Sequence, residues 1–291
     1  MTPSVSILIP AYNEEEALPA VLAHLLAAPA LADAEIIVVD DGSIDGTAAA
    51  VAGCPRVRLL RHSRNRGYGA ALRTAAEAAS SELVAWFDAD GQHRVEDLVT
   101  VIQTARDGAL DYCIGVRDAE SDRVVNRRLG KLVLRCAVNW AASQRVPDFN
   151  SGLRVFRRSV LLRYLHLLPK GYGASTTTTL LMLERGYHGG YVPIRVLERV
   201  GKSTVRQWRD GCRTLVIILR IVLLFRPLRF FGMLGAALLV AGLGYGVWNA
   251  LATRTGMPTL SVGLMLLGAQ ALFFGLIADQ LGALRRERFE R

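Results

Sequence analysis

The sequence predicts an α/β protein: a mostly parallel sheet covered by helices on both faces, followed by amphipathic segments and a C-terminal pair of apolar helices. Three observations carry this prediction. Short Val/Ile/Leu-rich runs alternate with helical patterns through the first 117 residues. Two uncharged stretches of 24 residues each lie near the end of the chain. Charge divides in the same way: residues 1–116 hold 8 basic and 16 acidic side chains, a net of −8, and residues 117–291 hold 27 and 10, a net of +17.

The strand predictions are VSILIPAY (5–12), EIIVVDDG (35–42), RVRLLRH (56–62), ELVAWFDAD (82–90) and DYCIGVR (111–117). Their apolar residues are continuous, not alternating, as in strands buried on both faces. Helices are predicted near 14–28, 45–53, 68–79 and 94–107, and a strand–helix alternation of this kind builds a parallel sheet. Ligands of such sheets collect at the carboxyl ends of the strands. Those ends carry Pro10-Ala11-Tyr12-Asn13-Glu14, Val39-Asp40-Asp41-Gly42-Ser43 and Asp88-Ala89-Asp90. Acids therefore gather at one sheet edge three times.

The chain of 291 residues is 51% hydrophobic with a mean hydropathy of +0.26, which excludes a disordered protein and directs attention to membrane segments. Phe230–Thr253 and Thr255–Ala278 contain no charge, and each is long enough to cross about 30 Å of hydrocarbon as a helix. Arg226 and Arg229 precede the first run. Arg285, Arg286, Arg288 and Arg291 follow the second, and the connecting loop holds only Arg254. The positive-inside tendency predicts a multi-pass inner-membrane protein with both termini cytoplasmic. Gly232, Gly235, Gly242 and Gly246 suit close packing of the two helices. Met1–Ser6 lacks the basic opening of a signal peptide, so the front half is expected in the cytoplasm.

Two familiar phosphate-binding devices are missing. The first strand-to-helix turn reads PAYNEEEA without the glycines of a dinucleotide fold, and no P-loop occurs. The scattered Cys54, Cys113, Cys136 and Cys212 form neither a disulfide framework nor a zinc site. A metal is the remaining way to handle phosphate. Asp88, Asp90 and Gln92 at a strand end are hard oxygen donors suited to Mg²⁺ or Mn²⁺.

Together IPAYNEEEAL, IIVVDDGSIDGT, NRGYGAAL and FDADGQH resemble the nucleotide-sugar-binding half of the family 2 inverting glycosyltransferases. GVR at 115–117, DFNSGLRVFRR at 148–158, ERVGKST at 198–204 and the C-terminal anchor narrow the resemblance to the dolichyl- and polyprenyl-phosphate hexose synthases, mannose or glucose type. The resemblance implies a GT-A-like fold. It implies a transferase domain over 1–204 (donor half 1–116, acceptor half 117–204), an interface helix over 205–229, an anchor over 230–284 and a basic tail over 285–291.

Residue roles follow at matching positions. Pro10, Ala11, Tyr12, Glu14, Val39 and Asp40 would line the donor's base and ribose pocket. Asp88, Ala89, Asp90 and Gln92 would hold the metal and the diphosphate, and Arg199 and Lys202 would close over it. Arg117, with Arg127, Arg128 and Lys131, would bind the acceptor phosphate; Asp90, Arg117 and Lys202 are the catalytic candidates. The implied partners are a nucleotide sugar of the GDP-mannose or UDP-glucose class, a polyprenyl (dolichyl or undecaprenyl) phosphate and the membrane, with no nucleic acid. Processive relatives carry Q-x-x-R-W, whereas this chain has only QWR at 207–209, so polymer synthesis is not expected.

The chemistry agrees. Displacing a nucleoside diphosphate from an anomeric carbon develops charge on the leaving group, which a divalent cation with Lys or Arg stabilises. An acceptor phosphate is already anionic at neutral pH and needs no strong base; His93 is the nearest base candidate. Residues 127–143 and 205–225 read as basic amphipathic helices suited to the headgroup plane, which would bring the site to the depth of a lipid phosphate. Two alternatives remain: a transferase of this fold with another lipid acceptor, such as a diacylglycerol or a lipid-linked sugar, and an inactive scaffold domain.

Overall fold

A computed structural model describes residues 4–117, 139, 146–169, 171, 173–197, 219, 223, 226–254 and 256–290. Residues 4–117 and 146–197 belong to one compact unit, and those from 226 onward to a second.

The first unit is built on a seven-stranded sheet. Its strands are β1 (Ser6–Ala11), β2 (Glu35–Asp40), β3 (Val57–Arg61), β4 (Leu83–Trp86), β5 (Tyr112–Arg117), β6 (Arg154–Arg157) and β7 (Gly189–Ile194), in the order β3-β2-β1-β4-β6-β5-β7. Pairings β1–β2, β1–β4, β2–β3 and β5–β7 are parallel; β6 runs antiparallel to both its neighbours. All five predicted strands form, in a mostly parallel sheet. Strands β6 and β7 lie outside those predictions.

The helices are α1 (Leu18–Ala27), α2 (Thr47–Ala52), α3 (Tyr68–Ala78), α4 (Val95–Asp107), α5 (Arg158–Tyr164) and α6 (Ala174–Glu184), numbered in chain order. Leu18, Leu22 and Leu25 of α1 and Leu98 and Val101 of α4 join Ile7, Ile9, Ile36, Val38, Ala85 and Phe87 in one core. Each large aliphatic side chain so buried contributes roughly 1.5–3 kcal/mol, enough to set strand register.

The first helix begins four residues later than predicted, and the reason is local. The amides of residues 13–15 are used elsewhere: Asn13 N donates to Ser43 Oγ (3.0 Å), Glu14 N to Thr47 Oγ1 (2.9 Å) and Glu15 N to Asp45 Oδ2 (3.3 Å). In return, Ile44 N donates to Asn13 Oδ1 and Gly46 N to Glu15 Oε2. The β1–α1 and β2–α2 loops are thereby tied together along the acidic edge.

The second unit is a hairpin of α7 (Pro227–Thr253) and α8 (Thr259–Glu290). Pro227–Thr253 and Thr259–Leu284 have mean hydropathies of 1.8 and 2.1 and are long and apolar enough to cross a membrane. A Cβ on Gly235 would lie 2.8 Å from Gly268 O, and one on Gly268 would lie 2.9 Å from Gly235 O, so the helices touch backbone to backbone. Ser261 Oγ adds a buried hydrogen bond to Gly242 O (2.6 Å). Gly242 and Gly246 lie on this contact too, whereas Gly232 has nothing within 4 Å. The outer faces expose Leu234, Val240, Trp248, Leu266, Phe273 and Phe274.

Candidate active site

The sheet order reverses between β1 and β4. Strands β2 and β3 build outward on one side, and the chain then returns to place β4 on the other. A crevice opens at such a switch point. Leu8 O accepts from Phe87 N and the β1–β4 register ends at Leu8–Trp86, while Ala11 O accepts from Asp41 N on the β2 side. Alternation puts the nitrogen of Pro10 on the β4 side, past the end of that ladder, where its missing N–H costs no hydrogen bond.

The two aspartates ending β2 have different tasks. Asp41 is buried and fully engaged: Oδ1 accepts from His62 Nδ1 (2.6 Å) and Arg66 N (2.9 Å), and Oδ2 from Gly67 N (2.7 Å). It therefore holds the loop leading into α3. Gly42, at φ +72°, makes this possible, since a Cβ there would lie 2.5 Å from the Arg64 carbonyl carbon. Asp40, fully buried, accepts from Ser43 N (2.8 Å) through Oδ1. Its Oδ2 lies 3.0 Å from Arg61 Nε without hydrogen-bond alignment and has no hydrogen-bond partner among the described residues. An unsatisfied buried carboxylate oxygen at a strand end is an acceptor available to a ligand's N–H or hydroxyl. Near it, Tyr12 is exposed, Glu14 is half-buried, and Ala11 and Val39 are buried with the strands.

Asp88 and Asp90 follow β4. Tyr68, at the start of α3, donates its hydroxyl to Asp88 Oδ1 (2.9 Å), and His93 Nε2 lies 3.6 Å from Asp88 Oδ2. Burial works against ionisation of Asp88, but His93, Tyr68 and the Arg154 guanidinium outweigh it and hold its carboxyl below the usual range. Burial and the charge of Asp88 in turn raise the Tyr68 phenol well above its ordinary value, so it remains a donor. Gly91, at φ +73°, turns the chain, and Gln92 N donates to Asp90 Oδ1 (3.1 Å). The Gln92 amide nitrogen donates to Leu197 O (3.3 Å), and Leu197 N to Gln92 O (2.9 Å). With its nitrogen engaged, Gln92 has its side-chain oxygen as the remaining donor to a cation.

His93 is buried against Phe87, with ring centroids 6.0 Å apart, and its Nε2 faces Asp88. The arrangement suits a prop for Asp88 better than a base reaching an acceptor.

Among the described residues, no group of three or more His, Cys, Asp or Glu side chains is placed to hold a metal ion. Two carboxylates and an amide oxygen nevertheless fit a hard divalent cation that takes its remaining ligands from a diphosphate. Gly152 sets the seat of Asp88. A Cβ on Gly152 would collide with Asp88 Oδ2, so only glycine leaves the carboxylate its position.

Arg117 ends β5 with its guanidinium forked onto Asp148: Nε to Oδ2 is 2.7 Å and Nη2 to Oδ1 is 3.1 Å. Burial raises the carboxyl of Asp148, but Arg117, Asn150 N and Arg154 overcome that and hold it below the ordinary range. Asp148, Gly152 and Arg154 lie on one short segment. The sequence pattern placed them in a family motif without a role, as it did Tyr68. The one local sign was an arginine inside the apolar run LRVF. Arg127, Arg128, Lys131, Arg199 and Lys202 lie outside the described residues, as do the predicted interface helices apart from isolated positions.

Comparison with known proteins places this geometry in a family. Residues 6–166 match glycosyl transferase family 2, and residues 226–284 match the GtrB C-terminal hairpin. Glycosyltransferase AglJ of Haloferax volcanii is 28% identical over 300 residues, covering 99% of this chain and 97% of that protein. The undecaprenyl-phosphate 4-deoxy-4-formamido-L-arabinose transferase of Yersinia pestis is 28% identical over 296 residues, covering 96% and 88%. Among solved structures, glucosyl-3-phosphoglycerate synthase from Mycobacterium tuberculosis, in complex with Mn²⁺, UDP-glucose and phosphoglyceric acid, aligns at TM-score 0.59 with 20% identity over 75% of this chain and 79% of that one. Mannosyltransferase PcManGT from Pyrobaculum calidifontis, with GDP-Man and Mn²⁺, aligns at 0.53 with 24% identity over 98% and 76%. These structural likenesses concern the GT-A-like fold. Because the family match spans more than half the sequence and covers the whole acidic edge, the chain belongs to glycosyl transferase family 2.

Proposed function

We propose that this chain is a membrane-anchored transferase that moves a hexose from a nucleotide sugar to a polyprenyl phosphate, with inversion at the anomeric carbon. The observation that carries the reading is the segment 148–154. It packs Gly152 against Asp88 on the donor side and grips Arg117 through Asp148 on the acceptor side. The resemblance of the catalytic unit and hairpin to a transferase that acts on undecaprenyl phosphate supports a lipid-phosphate acceptor. In this reading residues 1–204 form the cytoplasmic catalytic domain and 230–284 the anchor.

Each residue then has a chemical task. Asp40 Oδ2 accepts a hydrogen bond from the donor's base or ribose, alongside Tyr12 and Glu14. A divalent cation, Mg²⁺ or Mn²⁺, held by Asp88, Asp90 and Gln92 would stabilise charge on a departing diphosphate. Tyr68 keeps Asp88 oriented by donating to it. Arg117, held in place by Asp148, presents positive charge to the acceptor phosphate, with Arg127, Arg128 and Lys131 as further cations on that side. Arg199 and Lys202 close over the diphosphate. An acceptor phosphate carries its own negative charge, so the site needs no strong general base.

The test is transfer of radiolabelled sugar into the organic phase, using the full chain in detergent with and without added polyprenyl phosphate. A thermal-shift screen over nucleotide sugars with Mn²⁺ first selects the donor. Label in the organic phase only when polyprenyl phosphate is present is the expected result. Transfer that instead follows added diacylglycerol, or no transfer with any stabilising donor, would overturn the reading.

A further inference from the structure

Arg154 on β6 is fully buried, yet no carboxylate touches it among the described residues. Its guanidinium stands over the Trp86 ring, 5.9 Å from the centroid. Nε donates to Ser151 O (2.6 Å) and Nη2 to Phe149 O (2.9 Å). Nη1 donates to Ser175 O (2.7 Å), Thr179 Oγ1 (2.8 Å) and Thr178 Oγ1 (3.2 Å). Those threonines lie in the buried first turns of α6 and return their hydroxyls to helix carbonyls. Burial lowers the guanidinium to about 10, and the nearby Asp148, Tyr68 and Asp88 oppose that fall, so the group stays charged at neutral pH.

Burying a cation is costly even when its hydrogen bonds are made, and an apolar residue would pack the same space at lower cost. The partners indicate what the arginine does instead. A planar fork holds several acceptors in one fixed arrangement, whereas an ammonium offers three donors on a flexible stem, and here two of the acceptors are the carbonyls of Phe149 and Ser151. Those peptides lie between Asp148 and Gly152, on the loop that carries both. Asp148 grips Arg117, and a Cβ on Gly152 would take the room that Asp88 occupies.

We propose that Arg154 is a positioning residue that sets the donor-side and acceptor-side groups together, by clamping the 148–153 loop against α6. It acts on Asp88 through Gly152 and on Arg117 through Asp148. The inference rests on the proposed function in taking Asp88 as part of a cation and diphosphate site and Arg117 as a contact of the acceptor phosphate.

The experiment measures Mn²⁺ binding by the full chain in detergent, by electron paramagnetic resonance of free Mn²⁺, in the presence of UDP or GDP, whichever the wild type binds. Arg154→Lys keeps the charge and removes the fork. It is expected to weaken Mn²⁺ binding on the order of 10–100-fold, the range for loss of a group that orients a metal ligand, and to raise the KM for the lipid phosphate in the same protein. Gly152→Ala leaves Arg154 untouched but pushes on Asp88, and is expected to reproduce the Mn²⁺ loss. It decides the matter if Arg154→Lys does not fold. A merely structural arginine predicts a lower melting temperature, with the folded fraction binding Mn²⁺ as the wild type does. That result, or wild-type Mn²⁺ affinity in Gly152→Ala, overturns the proposal. If the wild type binds Mn²⁺ with neither nucleotide, the donor side of the proposed function fails and this inference falls with it; failure in the variants alone leaves that function standing.

Discussion

Asp148→Asn isolates the pair that joins the acceptor side to the rest of the site. The substitution preserves shape and removes the charge that accepts Arg117 Nε at 2.7 Å and Nη2 at 3.1 Å. Each hydrogen bond to a charged group is worth about 1.5–3 kcal/mol, and breaking a fully buried pair costs about 3–5 kcal/mol. The Asp148 side chain is 10% exposed but that of Arg117 is 35% exposed, so water recovers part of the guanidinium's solvation. The expected loss is therefore near the lower end, about 2 kcal/mol at neutral pH, equivalent to a drop of about 4–8 °C in the melting temperature of a unit this size. The assay is thermal unfolding of the full chain in detergent, followed by tryptophan fluorescence, across a pH series. Asp148 has a folded-state pKa below its ordinary value of 3.8. Its contribution is fully present above that value and disappears as pH falls through the lower, folded-state value. Wild type and mutant should then differ by a constant amount near neutrality and converge in strong acid. A difference under about 0.5 kcal/mol at neutral pH, the scale of an ordinary surface change, would refute the reasoning, as would a difference that does not shrink in acid.

Four further outcomes follow from the same geometry. Asp90→Ala should abolish turnover and leave the melting temperature within a few degrees of wild type, because the side chain belongs to a loop past β4; retained activity, or wild-type activity in EDTA, would remove the metal assignment. Arg117→Lys should raise the KM for polyprenyl phosphate by roughly 10–100-fold, the equivalent of about 1.5–3 kcal/mol, with nucleotide-sugar affinity nearly unchanged; equal loss of both affinities would place Arg117 on the diphosphate. Asp41→Ala should cost about 3 kcal/mol of stability in denaturant titrations, since three donors lose one buried acceptor, and wild-type stability would contradict its role in holding the loop into α3. Gly268→Leu should disrupt the α7–α8 hairpin, because its Cβ already meets Gly235 O at 2.9 Å; unchanged thermal stability in detergent would show that the helices need not pack so closely.

Much of this protein is determined locally and is therefore legible in its sequence. Apolar runs such as SILIPA and EIIVVD can satisfy their backbone and their hydrophobic faces only inside a covered parallel sheet, and β1 and β2 form there. Uncharged runs of more than 20 residues have few uses other than a hairpin of apolar helices. The acidic strand ends were visible because chain order alone brings them to one edge. What the tertiary structure decided depends on residues far apart in the chain. Strand β7 reads GGYVPI, a poor strand by composition, yet its first glycine is required because the Tyr112 ring crosses it from β5. Strand β6 is four residues with an arginine at each end, and only its place between β4 and β5 makes it a strand. The division of labour between Asp40 and Asp41 is likewise absent from the dipeptide, since it depends on His62 and the amides of Arg66 and Gly67. The partner of Arg117 has no signature in the chain around it, since folding brings Asp148 to it from 31 residues away. Burial of Arg154 had only its apolar neighbours in LRVF as a sign, because an arginine is accepted in a core only when distant carbonyls and hydroxyls converge on its donors.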